Sequence, residues 1–140
     1  MRQRGFTFIT FLVLVGALGA IFWCVVYGPA YVESFEVGRI VHEAGNMSYH
    51  EKDDSKVRDW IMSQLNQNFS EDQQVGGRME HVLKIDIQPN DDIRIERSEV
   101  PPQCEIWVTW RRTVTVPFSG TQREVSFTKH VTEDLTPVKW

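Results

Sequence analysis

The feature that most constrains the fold is an uninterrupted apolar run near the amino terminus. No charged residue occurs between Phe6 and Pro29. At the helical rise of about 1.5 Å per residue, roughly 22 residues reach just over the ~30 Å hydrocarbon thickness of a bilayer. A core helix of a water-soluble protein rarely stays apolar on every face for that length. The run therefore predicts a transmembrane helix over residues 6–28 and a membrane-attached chain.

The apolar run is expected to stay as an anchor instead of being removed as a secretory signal. It is longer than the apolar region of a secretory signal, which has about 7–15 residues. Bulky side chains crowd its end, and the small residues Gly28 and Ala30 flank Pro29. No convincing cleavage site for signal peptidase follows from this pattern.

Charge predicts the orientation of the chain. Arg2 and Arg4 precede the apolar run, whereas Glu33 and Glu36 are the first charged residues after it. Basic residues stay on the cytoplasmic side of a membrane. We therefore expect a single-pass protein with a cytoplasmic amino terminus. In a Gram-negative bacterium it would lie in the inner membrane, with its main domain in the periplasm.

The rest of the chain is large enough for one small domain with a single core. The chain has 140 residues and a net charge of −4, and removing Arg2 and Arg4 makes the exported part about −6. That charge argues against a nucleic-acid surface. Cys24 lies in the apolar run and Cys104 far along the exported part, so they are not expected to pair, and Cys104 is expected to be buried.

Helical periodicity continues beyond the apolar run. The pattern predicts one long helix from Phe6 to about Ala44, bent near Pro29 and ended by Gly45-Asn46. Its extension, residues 29–47, is expected to bury an apolar stripe, which comprises Val32, Phe35, Ile40 and Val41. Residues 48–140 form the predicted exported domain, which opens with a connector and a second helix over residues 55–68, capped near Asp53.

The carboxyl-terminal half changes to a period of two, which is typical of strands. Residues 70–78 are polar and contain Gly76-Gly77, so they are predicted to be a loop. Apolar residues then alternate over residues 83–87, 93–96, 106–116 and 125–131. The predicted fold class is α+β, with an antiparallel sheet of about four strands covered by the helices.

No motif for catalysis or cofactor binding occurs in the sequence. The four histidines are scattered, so a metal site is not expected, and the acidic segment 90–92 is predicted to be a solvated turn without calcium. The arginines of the strands alternate with acids, which favours cross-strand ion pairs. Trp107 is expected to pack under a helix. We therefore expect no enzyme activity, no cofactor and no small-molecule substrate.

The amino-terminal motif resembles the start of a type IV prepilin. Arg4-Gly5-Phe6-Thr7-Phe8-Ile9 is similar to the site where a short basic leader ending in glycine is cut before phenylalanine. Gly28-Pro29-Ala30-Tyr31 is similar to the Pro-Ala-Tyr segment that follows the buried half of pilin helices. A long helix on an antiparallel sheet is also the architecture of pilins and pseudopilins. The resemblance implies that residues 1–5 are a leader cut between Gly5 and Phe6.

Thr10 departs from the pilin pattern. Pilins usually carry glutamate at the fifth mature position, where it neutralises the amino terminus of a neighbouring subunit in the filament core, and Thr10 occupies that position here. A buried amine without a carboxylate partner is costly. The resemblance therefore implies a minor subunit and not a major, self-stacking pilin. The whole chain also resembles small bacterial single-span proteins of pilin-like architecture.

Two functions are expected from these observations. The first is a non-catalytic, pilin-like minor subunit or assembly factor of a type IV pilus or type II secretion-like system. Its partners would be inner-membrane lipid and pilin or pseudopilin subunits. The alternative is an unprocessed, signal-anchored periplasmic domain that binds another envelope protein. Processing between Gly5 and Phe6 distinguishes the two.

Overall fold

The computed structural model describes residues 4–137, with side chains from residue 7 onward, and has the predicted α+β class. Two helices precede five strands, and all strand pairs are antiparallel. The elements are α1 (Arg4–Ser48), α2 (Asp54–Phe69), β1 (Ser70–Val75), β2 (Arg78–Leu83), β3 (Ile93–Glu99), β4 (Pro102–Thr115) and β5 (Gln122–Asp134). Five strands in two sheets replace the single sheet of about four that the sequence predicts.

Helix α1 has 45 residues and is unbroken at Pro29. Its first part is long and apolar enough to cross a membrane, because an 18-residue window reaches a mean hydropathy of 2.6. None of that window is buried inside the protein, unlike the core helix of a water-soluble domain. The structure is therefore consistent with a single-pass membrane protein.

The second half of α1 packs on the domain through a stripe of small and branched side chains. The fully buried members are Val37, Ile40, Val41 and Ala44. Two of the residues expected in this stripe lie elsewhere: Val32 is 64% exposed and Phe35 is 74% exposed. That part of the prediction is wrong, because two apolar faces of α1 overlap in the sequence and only one meets the core.

The predicted helix stop at Gly45-Asn46 is also wrong, because α1 continues to Ser48. Gly45 is buried where the helix lies against β5. A Cβ atom at this position would lie 2.5 Å from Cγ of Glu133 and 3.0 Å from Cγ1 of Val131. Glycine is therefore needed here for close packing of the helix on the sheet and not for a left-handed cap.

Helix α2 begins as the sequence predicts. The Asp53 carboxylate accepts hydrogen bonds from the backbone N–H and the hydroxyl of Ser55, at 3.0 and 2.6 Å. These hydrogen bonds, the hydroxyl first, hold the pKa of Asp53 below its usual range. The helix buries one stripe at spacings of four, which consists of Val57, Ile61, Leu65 and Phe69.

The larger sheet has the order β3-β4-β5, with the long strand β4 in the centre. Alternate residues of β4 face both helices and are buried, as predicted, and they include Cys104, Ile106, Val108 and Trp110. Together with the stripes of α1 and α2 they form one hydrophobic core. The turn between β3 and β4 contains the exposed Val100 and a cis peptide bond before Pro101.

Residues 70–78 are not the predicted loop but form most of a β-hairpin. Strands β1 and β2 pair in register from Ser70 with Leu83 to Val75 with Arg78. Gly76 and Gly77 have φ of 59° and 85°, the left-handed values that tight two-residue hairpin turns require. The strand pattern was missed because β1 is polar on both faces, so it lacks the alternation that marks a half-buried strand.

The segment after β2 fills the edge of the core without joining a full strand pair. Ile85 and Ile87 are buried, as their alternation predicts, but Asp86 and Arg111 form only an isolated bridge. The Arg111 side chain also donates to Asp92, at 3.0 Å. The predicted turn at residues 90–92 is thus tied to β4 by an ion pair.

A comparison of two glycines of α1 tests the close packing of helix and sheet. Gly45→Ala should lower the free energy of unfolding by about 1–3 kcal/mol, because the methyl group overpacks the contact with β5. Gly38→Ala is the matched control, since its nearest atom would be 3.5 Å away, an ordinary contact. It should raise stability by up to about 1 kcal/mol through helix propensity. Chemical unfolding in detergent checks both variants, and equal effects would contradict the packing.

Candidate interaction surface

The predicted functional residues lie along the first turns of α1 and do not converge on a pocket. The backbone of Gly5 and Phe6 belongs to the helix, whereas residues 1–3 of the predicted leader lie outside the described residues. Thr10 lies on the exposed surface of the apolar part.

An apolar seam runs along α1 from the apolar part into the domain. We use "seam" for six residues at alternating spacings of three and four: Leu18, Ile21, Val25, Gly28, Val32 and Phe35. Its five side-chain-bearing members, all but Gly28, are 58–74% exposed. A spacing that averages 3.5 residues is the repeat of helices that pack along each other as left-handed coiled coils.

Most of the seam points away from the face of α1 that packs on the sheet. Val25 borders a cleft between α1 and the hairpin, and Lys129 Nζ of β5 lies 5.8 Å from the centroid of the Phe35 ring. At 100° per residue, Val32 and Phe35 point about 130° and about 170° away from the centre of the buried stripe. A Cβ atom on Gly28 would meet no other heavy atom within 4 Å, so a neighbouring helix has room to approach closely there. The seam ends at Arg39, which forms ion pairs with Glu36 and Glu43 at 3.1 and 3.0 Å.

The hairpin of β4 and β5 extends along the other side of α1 toward its apolar part. Tyr31 contacts Phe127 edge to face, with ring centroids 5.9 Å apart. Trp23 lies 5.7 Å from the rings of both Tyr27 and Tyr31. Aromatic side chains thus form a row along one face of α1 where its apolar run ends, as is typical of residues at a membrane interface.

An ion pair joins α1 to β4 beside these aromatic rings. The Arg112 guanidinium contacts the Glu33 carboxylate, and their side chains are only 23% and 15% exposed. The predicted pairing of strand arginines with acids of neighbouring strands is wrong for this residue, for Arg97, and for Arg94, which contacts Glu96 of its own strand. Arg97 instead contacts Asp54 and donates to the carbonyl oxygens of Ser48 and Glu51, at 3.0 and 2.8 Å.

The outer face of the larger sheet carries a stack of side chains without a covering helix. Trp107 lies parallel to the His130 ring, with centroids 4.6 Å apart, and the Arg94 guanidinium carbon lies 5.3 Å from the Trp107 ring centroid. The three residues are direct neighbours across the strands. The expectation that Trp107 packs under a helix is therefore wrong, because both helices lie on the opposite face.

One open cleft brings together residue types that occur in hydrolases. A cleft of about 470 Å³ is lined by Ser63 and His81, and His81 contacts Asp72 across β1 and β2. No hydrogen bond joins Ser63 to His81, and the side chains of His81 and Asp72 are 67% and 62% exposed. A catalytic serine needs a base within hydrogen-bond reach, so this arrangement is an exposed cross-strand pair.

Among the residues that the structure describes, no group of three or more histidine, cysteine, aspartate or glutamate side chains is placed to hold a metal ion. Cys104 is fully buried, as expected, and Cys24 is exposed on the apolar part of α1.

The seam was only partly visible in the sequence, because its residues merge with the apolar run on one side and with the core stripe on the other.

In comparisons with known proteins, no family model, no curated protein and no solved structure matches the chain.

Proposed function

We propose that the protein is a non-catalytic, single-pass membrane protein that binds a transmembrane helix of another envelope protein through the seam of α1. The exposure of Val32 and Phe35 carries this proposal. Both side chains lie beyond the apolar run yet remain 64% and 74% exposed. Large apolar side chains that continue an apolar surface into water favour a binding site for a partner.

The position of the seam restricts the kind of partner. Phe35 lies eight residues after Tyr27, which is about 12 Å along the helix and beyond a headgroup layer of about 7 Å. The other end of the seam lies well within the apolar run. Only an α-helix that itself crosses the bilayer satisfies its backbone hydrogen bonds while covering both ends. The partner is therefore an apolar helix that spans the same membrane and extends beyond it.

A pilin-type subunit is the partner that the amino-terminal resemblance favours. The motif around Gly5 and Phe6 and the long helix on an antiparallel sheet support a minor subunit or assembly factor of a pilus or type II secretion-like system. Thr10 in place of the usual glutamate supports a rare or terminal position over repeated stacking. In this proposal α1 lies in the bacterial inner membrane and the domain in the periplasm. Arg2 and Arg4 before the apolar run support that orientation.

The alternative function is an unprocessed anchor whose domain binds another envelope protein. The outer stack of Arg94, Trp107 and His130 favours this alternative, because it offers an aromatic surface outside the membrane. Lipid contacts would then be the only role of the apolar part of α1. In both proposals the protein acts by binding and not by catalysis.

Photo-crosslinking along α1 tests the seam. A photoreactive amino acid placed at Val32 or Phe35 in the full chain should form adducts with a helix of a membrane-spanning partner. The same group at Lys52, an exposed residue of the connector after α1, is the control. Mass spectrometry of the adducts identifies the partner and the crosslinked segment. Adducts no stronger at the seam than at Lys52 would contradict the proposal.

Polar substitution of the same residues measures the strength of the contact. The double variant Val32→Ser/Phe35→Ser should recover at least about tenfold less partner, because burying one such side chain contributes about 1.5–3 kcal/mol. The fold should not change, since both side chains lie outside the core. The control Glu36→Ser/Glu43→Ser removes two exposed charges of α1 and should retain the partner.

Leader processing separates the pilin-like proposal from the alternative. In a host with a prepilin peptidase, mature protein should begin at Phe6, because cleavage after Gly5 releases the basic residues. Intact-mass measurement of the membrane protein checks this expectation, and Gly5→Leu is the matched variant that should block cleavage. An intact Met1 in such a host would remove the pilin-like proposal and favour the unprocessed anchor.

A further inference from the structure

We infer that the loop between β4 and β5 is a second membrane contact, which inserts Phe118 into the outer leaflet of the bilayer. The inference rests on the proposed anchoring by α1 and adds a lipid-binding site on the domain itself. We use "tip loop" for residues 116–121. Its contact partner is the phospholipid surface that surrounds the apolar part of α1.

The hairpin of β4 and β5 is long enough for the tip loop to lie beside the apolar part of α1. His42 meets Glu133 at 3.4 Å, and Tyr31 meets Phe127 further down the helix. These contacts are about 16 Å apart along α1 and about 20 Å apart along β5, so strand and helix run side by side. The hairpin continues in the same direction until Phe118 reaches Phe22, with ring centroids 6.4 Å apart.

Phe22 fixes the depth of the tip loop. It lies five residues before Tyr27, the last residue of the apolar run, which corresponds to about 7 Å along the helix. If the apolar run occupies the hydrocarbon layer, then the ring of Phe118 lies within the outer part of that layer, about 7 Å from its boundary with the headgroups. A loop at that level contacts lipid and not bulk water.

The composition of the hairpin end matches such a position. Ten uncharged residues, Thr113 to Gln122, separate Arg112 from Arg123. Arg123 faces the same side of the sheet as Val114, its direct neighbour across the strands. In the described part of the chain the Arg123 side chain has no ion pair or hydrogen bond, so its charge is available to a lipid phosphate.

The backbone conformation of Phe118 costs free energy, and no contact within the core explains why a phenylalanine occupies it. Its side chain is 100% exposed, and its φ of 77° lies in the left-handed region that favours glycine. An aromatic residue thus occupies a strained backbone position without contributing to the core. Such outliers often mark functional positions.

Three of the five backbone N–H groups of the tip loop are satisfied from within. Val116 N–H donates to the carbonyl of Thr121 at 2.9 Å, and Gly120 N–H donates to that of Val116 at 3.2 Å. Thr121 N–H donates to Ser119 Oγ at 3.4 Å, and Pro117 has no N–H to satisfy. Internal hydrogen bonds lower the cost of moving a loop out of water.

An open cleft of about 400 Å³ separates the hairpin from α1 at the same level. Its walls are mostly apolar and include Val25, Val26, Pro29, Val114 and Pro117. Arg112 and two threonines line the cleft as well. An acyl chain fits the apolar walls of the cleft. Arg112 is already paired with Glu33, which leaves Arg123 for a lipid phosphate.

Depth-dependent fluorescence quenching tests the inference on the full chain. A single environment-sensitive fluorophore is placed through Phe118→Cys, Val15→Cys or Val100→Cys in a Cys24→Ser background, while the buried Cys104 stays unlabelled. Each protein is reconstituted into vesicles of phosphatidylcholine and phosphatidylglycerol that carry a nitroxide either near the headgroup or deep in the acyl chain. Val15 reports the apolar run, and Val100 is the matched exposed apolar residue at the opposite end of β4.

The inference predicts that the shallow nitroxide quenches the label at position 118 at least about threefold more than the label at position 100. The deep nitroxide should quench position 15 most. Quenching at position 15 together with equal, weak quenching at positions 118 and 100 would overturn the tip contact and retain the anchor. A blue-shifted label at position 118 without lipid quenching would overturn it in favour of a protein contact. Absence of quenching at position 15 would remove the proposed anchoring itself.

A second variant separates lipid contact from folding. Phe118→Gly removes the ring and relieves the strained φ, so thermal stability in detergent should not fall. A label introduced through Ser119→Cys should nevertheless lose at least half of its shallow quenching in the Phe118→Gly protein. Val100→Gly, the control, should leave that label unchanged. An unchanged label in the Phe118→Gly protein would overturn the role of the ring.

Discussion

The structure depends on the continuity of α1, because one helix carries both the apolar run and a main face of the domain core. Residues before Pro29 are apolar on every face, whereas Val37, Ile40 and Val41 are fully buried against the sheet. An interior proline removes one helix hydrogen bond and crowds the preceding turn, yet α1 stays helical through Pro29. The domain therefore cannot rotate freely relative to the apolar part of α1.

Because α1 is continuous, the surfaces around it have fixed positions relative to its apolar part. The sheet runs along one side of the helix, and the Glu33–Arg112 ion pair fixes the hairpin close to the end of the apolar run. The opposite side keeps Val32 and Phe35 exposed. One side of the helix is thus closed by its own domain, and the other is open to a partner. A flexible linker at the same place would define neither surface.

The sequence predicted the elements whose patterns are strong and local. The apolar run, the stripe of α2 with its Asp53 cap, and the alternation of β4 all appear where they were expected. Predictions were wrong where a tertiary contact decides the outcome. Gly45 continues a helix because β5 lies against it, although glycine usually ends one.

The candidate surfaces were harder to predict for a related reason. Val32 and Phe35 follow the helical period of the buried stripe closely enough to be assigned to it, and only the packed structure shows that they point away. Strand β1 alternates no apolar residues, so only its pairing with β2 reveals it. Phe118 carries no local pattern at all, and its position depends on the length of the hairpin along α1.

The continuity of α1 is tested most directly by a distance measured across Pro29 in a lipid bilayer. Spin labels introduced through Leu18→Cys and Glu43→Cys, in a Cys24→Ser background, lie on similar sides of α1. Twenty-five residues of continuous helix separate them, so a single narrow distribution near ~37 Å is expected from pulsed electron resonance. A broad distribution, or a mean shorter by about 8 Å or more, would show a hinge at Gly28-Pro29 and contradict the rigid connection of apolar helix and domain.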